Sequence, residues 1–86
     1  MEEIVYKISD SAGLHARPAG KLAKKAAEYE STVTVEKDGK RADTRRVMAL
    51  MSLGIKCGDS IKIIIEGEDE KKASEEIRQF LEEIQL

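Results

Sequence analysis

The apolar residues of this chain change their spacing several times, and the order of those changes restricts what it can fold into. Ile4, Tyr6 and Ile8 alternate with Glu3, Val5 and Lys7, the two-residue period of a strand with one mainly apolar face. Ser9-Asp10-Ser11-Ala12-Gly13 breaks that run. Ala19, Leu22, Ala23, Ala26 and Tyr29 then recur at helical spacing, with Lys21, Lys24, Lys25 and Glu28 outside, so a helix is expected from near Ala16. The β-branched run Thr32–Glu36 returns to alternation. Asp38-Gly39 predicts a two-residue hairpin turn, because both residues tolerate positive φ, and Lys40–Asp43 supplies the return strand. Arg45–Leu53 reads as a short helix with Val47, Leu50, Met51 and Leu53 inward and Gly54 at its end. Ser60–Glu66 is a buried strand with Ile61, Ile63 and Ile65 on one face and Ile64 on the other. Asp69 is placed to cap a last helix with the stripe Ala73, Ile77, Phe80, Leu81 and Ile84.

The resulting order, β-α-β-β-α-β-α, predicts the α+β class: one antiparallel sheet with its helices on one face. The other face should meet water, which fits the polar members Thr32 and Thr34. The 86 residues suffice for one small domain, 1–86, with no linker, repeat or low-complexity segment.

Aromatic residues are Tyr6, Tyr29 and Phe80 alone, so the core must be aliphatic. The strands therefore lack the stacking rings of RNA-binding sheets. A net charge of −2 gives no general attraction for nucleic acid or membrane. Cys57 is the single cysteine, which excludes an internal disulfide and a paired-thiolate metal site; it suits a reducing compartment and reads as a small half-buried residue. The N-terminal Met-Glu-Glu-Ile-Val has no signal-peptide pattern. The longest apolar strand run, Ile63–Ile65, is far too short to span a bilayer. A cytoplasmic protein without a cofactor is expected.

The chemistry concentrates in Gly13-Leu14-His15-Ala16-Arg17-Pro18-Ala19-Gly20, which holds the only histidine and the only proline. It falls where a strand ends and a helix begins. The first turn of a helix offers unpaired N–H groups and a positive dipole end, together an anion site. A histidine at that cap can do more than bind an anion, because its ring nitrogen can accept a phosphoryl group. The N–H groups of Ala16 and Arg17 could then hold the group, and the Arg17 guanidinium could add a forked contact. Pro18 has no N–H to give and shapes the turn. A lone histidine in such a place is more often an ordinary polar cap residue. A hydrolase is disfavoured, since His15 has no evident triad partner or thiol nearby in sequence.

Two stretches carry a family resemblance: Gly13-Leu14-His15-Ala16-Arg17-Pro18-Ala19, and Met48-Ala49-Leu50-Met51-Ser52-Leu53-Gly54 with the Gly58 loop after it. With their spacing and the element order, the chain resembles, over essentially its whole length, HPr. That family is the histidine-containing phosphocarrier of the phosphoenolpyruvate:sugar phosphotransferase system. The resemblance implies an open-faced β-sandwich, a four-stranded antiparallel sheet with three helices on one side. It implies that enzyme I phosphorylates Nδ1 of His15 from phosphoenolpyruvate and that enzyme IIA domains receive the group for sugar uptake. Arg17 is the implied phosphate contact, with Ala16 and Arg17 N–H groups binding phosphate. Gly20, Lys21, Lys24, Arg46, Val47, Met48 and Met51 are implied as the partner-binding surface. Met48 is expected to be exposed, whereas Met51 is open between core and surface. Lys21, Lys24, Lys25, Arg45 and Arg46 could form a basic rim that steers acidic partners. A carrier of this kind is a stoichiometric intermediate rather than an enzyme, with protein partners, no nucleic acid, no membrane and a monomeric state.

The chain departs from the family pattern at Arg46, where relatives usually carry a serine, which HPr kinase/phosphorylase modifies in Gram-positive members. Arg46 has no hydroxyl, and Thr44 and Ser52 do not occupy the aligned place, so that regulation is expected to be missing. Ala12 stands where Ser or Asn is common. Gly20 and Lys21 replace more usual small or apolar residues, and Gly20 should weaken its helix by up to about 1 kcal/mol relative to Ala. These changes keep open an alternative function, an HPr-like signalling or adaptor module switched by His15 phosphorylation.

Overall fold

Each change of period in the sequence becomes a change of element in the structure, a computed structural model that describes residues 1–84. The order is β1 (Glu2–Lys7), α1 (Ala16–Ala26), β2 (Thr32–Lys37), β3 (Lys40–Asp43), α2 (Val47–Met51), β4 (Ser60–Glu66) and α3 (Glu70–Ile84). The four strands form one sheet in the order β1-β4-β2-β3, and every neighbouring pair is antiparallel. Asp38 (φ 51°) and Gly39 (φ 81°) make the hairpin turn and set Lys37 opposite Lys40.

The register lines up Ile4, Ile63, Val35 and Ala42 in one row across the sheet. That face carries the core. Ile61, Ile63 and Ile65 join Leu22 of α1, Leu50 of α2 and Ile77 and Leu81 of α3 in a single buried cluster. Each such side chain contributes about 1.5–3 kcal/mol on burial, so the aliphatic core compensates for the scarcity of rings. On the opposite face lie Val5, 72% exposed, and the ion pairs Lys62–Glu3 and Arg41–Glu36. Ile64 also belongs to that face, between Glu3 and Thr34, yet it is buried. It sits on one of the two central strands, where neighbours on both sides shield it.

Several local expectations are corrected by long-range contacts. Helix α1 ends at Ala26, but Tyr29 remains buried and its hydroxyl donates to Glu76 Oε1 of α3 at 2.5 Å. Lys25 does not point outward. Its ammonium lies 5.8 Å from the Tyr29 ring centre and 6.0 Å from that of Phe80, and it also meets Glu28 at 3.3 Å. Helix α2 spans five residues rather than Arg45–Leu53. Arg46 is its N-cap and Ser52 its C-cap, and the Leu53 and Gly54 N–H groups bond back to Leu50 and Met51. The Asp69 carboxylate turns away from α3 to accept the Glu30 and Ser31 N–H groups at 2.9 Å each and the Ser31 hydroxyl. The Asp69 carbonyl still accepts the first helical bond, from the Ala73 N–H at 2.8 Å, so Asp69 keeps the N-cap place, and Glu70 accepts the Gly67 N–H at 3.2 Å. Cys57 is exposed rather than half-buried.

Candidate functional site

The segment that carries the histidine is built against the loop between α2 and β4. The Ile8 N–H donates to the Asp59 carbonyl at 2.9 Å, and the Gly58 N–H returns to the Ile8 carbonyl at 2.8 Å. The chain then reverses at Asp10, whose carbonyl accepts the Gly13 N–H and whose Oδ1 accepts the Ala12 N–H, both at 2.9 Å. This is an Asx-type turn. Gly13 follows at φ +72°. A Cβ there would lie 2.5 Å from the Ile55 carbonyl oxygen and 2.9 Å from the Lys56 Cα, so only glycine lets the two loops touch. Leu14 closes the junction with an N–H bond to Ile55 at 3.1 Å and a buried side chain.

His15 is thereby delivered to the N-cap of α1 in an extended conformation, φ −90° and ψ −171°. Its carbonyl accepts the Ala19 N–H at 3.0 Å, but its ring makes no capping bond. The ring is 39% exposed, and its Nε2 stands 3.6 Å from Asp10 Oδ2. Ala16 and Arg17 are the first two helical residues, whose N–H groups have no partner within the helix, and both residues are exposed. Pro18 is buried beneath them. Among the described residues Arg17 makes no ion pair. A half-exposed imidazole, two free N–H groups and an unengaged guanidinium therefore share one helix end.

Helices α1 and α2 pack against each other and carry the remaining expected surface. Lys21 and Lys24 are exposed, Gly20 is half-buried, and Met48 is 79% exposed. Val47 and Met51 are partly buried against the core, so Met51 belongs more to packing than to the surface. Arg46 is exposed at the α2 N-cap. The basic rim is narrower than the sequence suggests. Lys25 is held by Glu28, and Arg45 lies 3.5 Å from Asp43, while Lys21, Lys24 and Arg46 are unpaired among the described residues.

Sequence reasoning missed Asp10. Its position ahead of a glycine in a polar turn was a signal for an Asx-type turn, but its approach to His15 depends on the loop reversing. Among the described residues no His, Cys, Asp and Glu cluster could hold a metal ion, and no helix is long and apolar enough to cross a membrane.

Comparison with known proteins bears on the same region. The family model described as PTS HPr component phosphorylation site matches residues 2–83. The HPr-like protein Crh of Halalkalibacterium halodurans is 39% identical over 82 residues, covering 95% of this chain and 98% of Crh. The solved histidine-containing phosphocarrier protein of a mycoplasma superposes with a TM-score of 0.92 at 34% identity, covering 99% of this chain and 97% of that one. Crh of Bacillus subtilis, solved as a dimer with a swapped domain, gives a TM-score of 0.74 at 36% identity, over 91% of this chain and 90% of that one. The four-stranded open-faced sheet and its three helices are thus shared, and with the family match running from β1 into the last turn of α3, the chain belongs to the HPr family of phosphocarrier proteins.

Proposed function

We propose that this protein accepts a phosphoryl group on Nδ1 of His15 from phosphoenolpyruvate through enzyme I and passes it to enzyme IIA domains for sugar uptake. The observation that carries the reading is the His15 ring itself. It occupies an N-cap, makes no capping bond and is half-exposed above the open end of α1. A ring that merely capped the helix would be hydrogen-bonded to it. Left free, the neutral ring can attack phosphorus. The Ala16 and Arg17 N–H groups then face the phosphoryl oxygens, and the helix dipole favours their negative charge. Arg17 adds a charge-assisted contact. These contacts are all at the surface, where their strength is moderated by water, which suits a carrier that must surrender its load.

Docking is assigned to the surface around that helix end: Gly20, Lys21 and Lys24 on α1, Arg46 at the N-cap of α2 and Met48 on α2, with the partly buried Val47 and Met51 beneath them. The unpaired cations steer acidic partners, and an exposed, flexible thioether fits more than one of them. The protein acts in the cytoplasm as a monomer, and light scattering at working concentration separates that state from a swapped dimer. Arg46 supplies no hydroxyl for regulatory phosphorylation.

The test is transfer from phosphoenolpyruvate with purified enzyme I, read by intact mass and acid lability. One acid-labile phosphoryl group on the wild type and none on folded His15→Ala is the expected result. Equal labelling of His15→Ala refutes the assignment. The adaptor reading, in which phosphorylation of His15 switches binding to a regulator, draws support from the likeness to Crh. It is favoured if enzyme I labels the protein but no enzyme IIA domain removes the group.

A further inference from the structure

Asp10 is the one titratable group whose contact with the His15 ring the phosphocarrier reading does not use. Its two carboxylate oxygens are divided between two tasks. Oδ1 accepts the Ala12 N–H at 2.9 Å and so fixes the carboxylate plane in the turn. Oδ2 is left facing His15 Nε2 at 3.6 Å, within ion-pair range and longer than a formed hydrogen bond. Such contacts are often long before a reaction partner arrives and tighten on reaction. Which imidazole nitrogen keeps the proton is set by what the other group beside the ring accepts. A carboxylate is acceptor-only when ionised, so Asp10 draws the proton to Nε2 and leaves the lone pair on Nδ1.

We propose that Asp10 is a positioning residue for phosphoryl transfer, holding the Nε2–H form of His15 so that Nδ1 is the nucleophile; this rests on the phosphocarrier reading above. In the step, the Nδ1 lone pair forms the new N–P bond while the donor's bond to phosphorus breaks and its electron pair leaves with the donor. Nε2 keeps its proton throughout, so the newly phosphorylated ring carries a positive charge that the Asp10 carboxylate offsets. In the reverse direction the same proton lets the ring depart as a neutral imidazole.

The turn makes the test unusually selective. Asp10→Asn keeps an oxygen for the Ala12 N–H and therefore turns its amide nitrogen, a donor, toward Nε2. The ring must then present its Nε2 lone pair and move the proton to Nδ1, which blocks the nucleophile; an amide in place of an orienting carboxylate imposes the wrong tautomer in this way. Asp10→Ala loses the turn bond but leaves the ring its intrinsic preference. A structural role orders the variants Asp, Asn, Ala; the positioning role orders transfer Asp, Ala, Asn.

Phosphoramidate is the donor of choice, because it needs no docking and its P–N bond breaks with ammonia as the leaving group. Ring and carboxylate are both more than a third exposed, so their attraction is near its value in water. Asp10→Ala should therefore slow uptake about fivefold and Asp10→Asn at least about tenfold. In parallel, ¹⁵N shifts of labelled His15 at alkaline pH should show Nε2–H in the wild type and Nδ1–H in Asp10→Asn. Unchanged tautomers in Asp10→Asn, or a rate order that follows stability, overturn the proposal. If the wild type takes up no phosphoryl group at all, the carrier reading fails, while the ¹⁵N comparison still decides the role of Asp10.

Discussion

Replacing Gly20 by alanine should raise stability by about 1 kcal/mol. Gly20 is the fifth residue of the eleven in α1, inside the helix rather than at a cap. Its φ is not in the positive region, so alanine adopts the same backbone without strain. A Cβ built on it meets no atom within 4 Å, so neither overlap nor new burial complicates the exchange. What remains is the backbone freedom that glycine loses on folding, about 0.8–1 kcal/mol in a helix interior. For a domain of this size that corresponds to a rise of about 4–8 °C in Tm. Thermal and urea unfolding followed by circular dichroism measure it, with the urea slope unchanged because the exposed area on unfolding is nearly the same. A midpoint that stays put or falls refutes the reasoning. Transfer from enzyme I on the same variant adds a second reading, since a higher KM at constant kcat would place Gly20 under a partner's surface.

Gly13→Ala should have the opposite effect, costing about 2 kcal/mol or more, because its Cβ falls 2.5 Å from the Ile55 carbonyl oxygen at a φ that side chains avoid; a urea midpoint equal to wild type contradicts the loop junction. Acid should lower the stability. Lys37 hydrogen bonding lowers the Asp59 pKa, the Ser31 hydroxyl lowers that of Asp69, and the N-terminal ammonium lowers that of Glu70. Carboxyls depressed in the folded state contribute stability above their unfolded values, about 4, and lose it as pH falls through the folded values. The urea midpoint should be level near neutrality and fall below about pH 4, less steeply in Asp69→Asn, and a level midpoint down to about pH 2.5 contradicts the assignment. Met48→Ala should change stability by less than about 0.5 kcal/mol, since the side chain is 79% exposed. It should raise the KM for enzyme I by about tenfold, the loss of about 1.4 kcal/mol of buried contact; an unchanged KM removes Met48 from the docking surface.

What could be read in advance was what neighbours in sequence decide. The β2–β3 hairpin follows from Asp38-Gly39, and β4 from its isoleucine run, because turn chemistry and period act within a few residues. His15 at a helix start followed from one octapeptide. The side chains of Lys25 and Asp69 are placed by residues far apart in sequence. Helical period alone sets Lys25 toward solvent, whereas Phe80 from another helix draws its ammonium inward. The Asp69 carboxylate is drawn from its own helix by a donor, Ser31, that lies 38 residues away. The ends of α2 are set by turns flanking five residues, too few for the pattern to mark them. The approach of Asp10 to His15 is not legible in the sequence, because periodicity says nothing of where a reversing loop places its side chains.

The Gly13–Ile55 junction separates two tasks that a carrier has to combine. His15 is held from behind by the strand ends and the α2–β4 loop, through the bonds at Ile8, Leu14 and Gly58. The side chains proposed for docking, Lys21, Lys24, Arg46 and Met48, are exposed on α1 and at α2. Substitutions at those four positions can therefore accumulate without shifting the imidazole. A duplicated copy of such a domain is free to change whom it meets while the phosphorus chemistry stays in register, and Arg46 is the kind of replacement that this freedom permits.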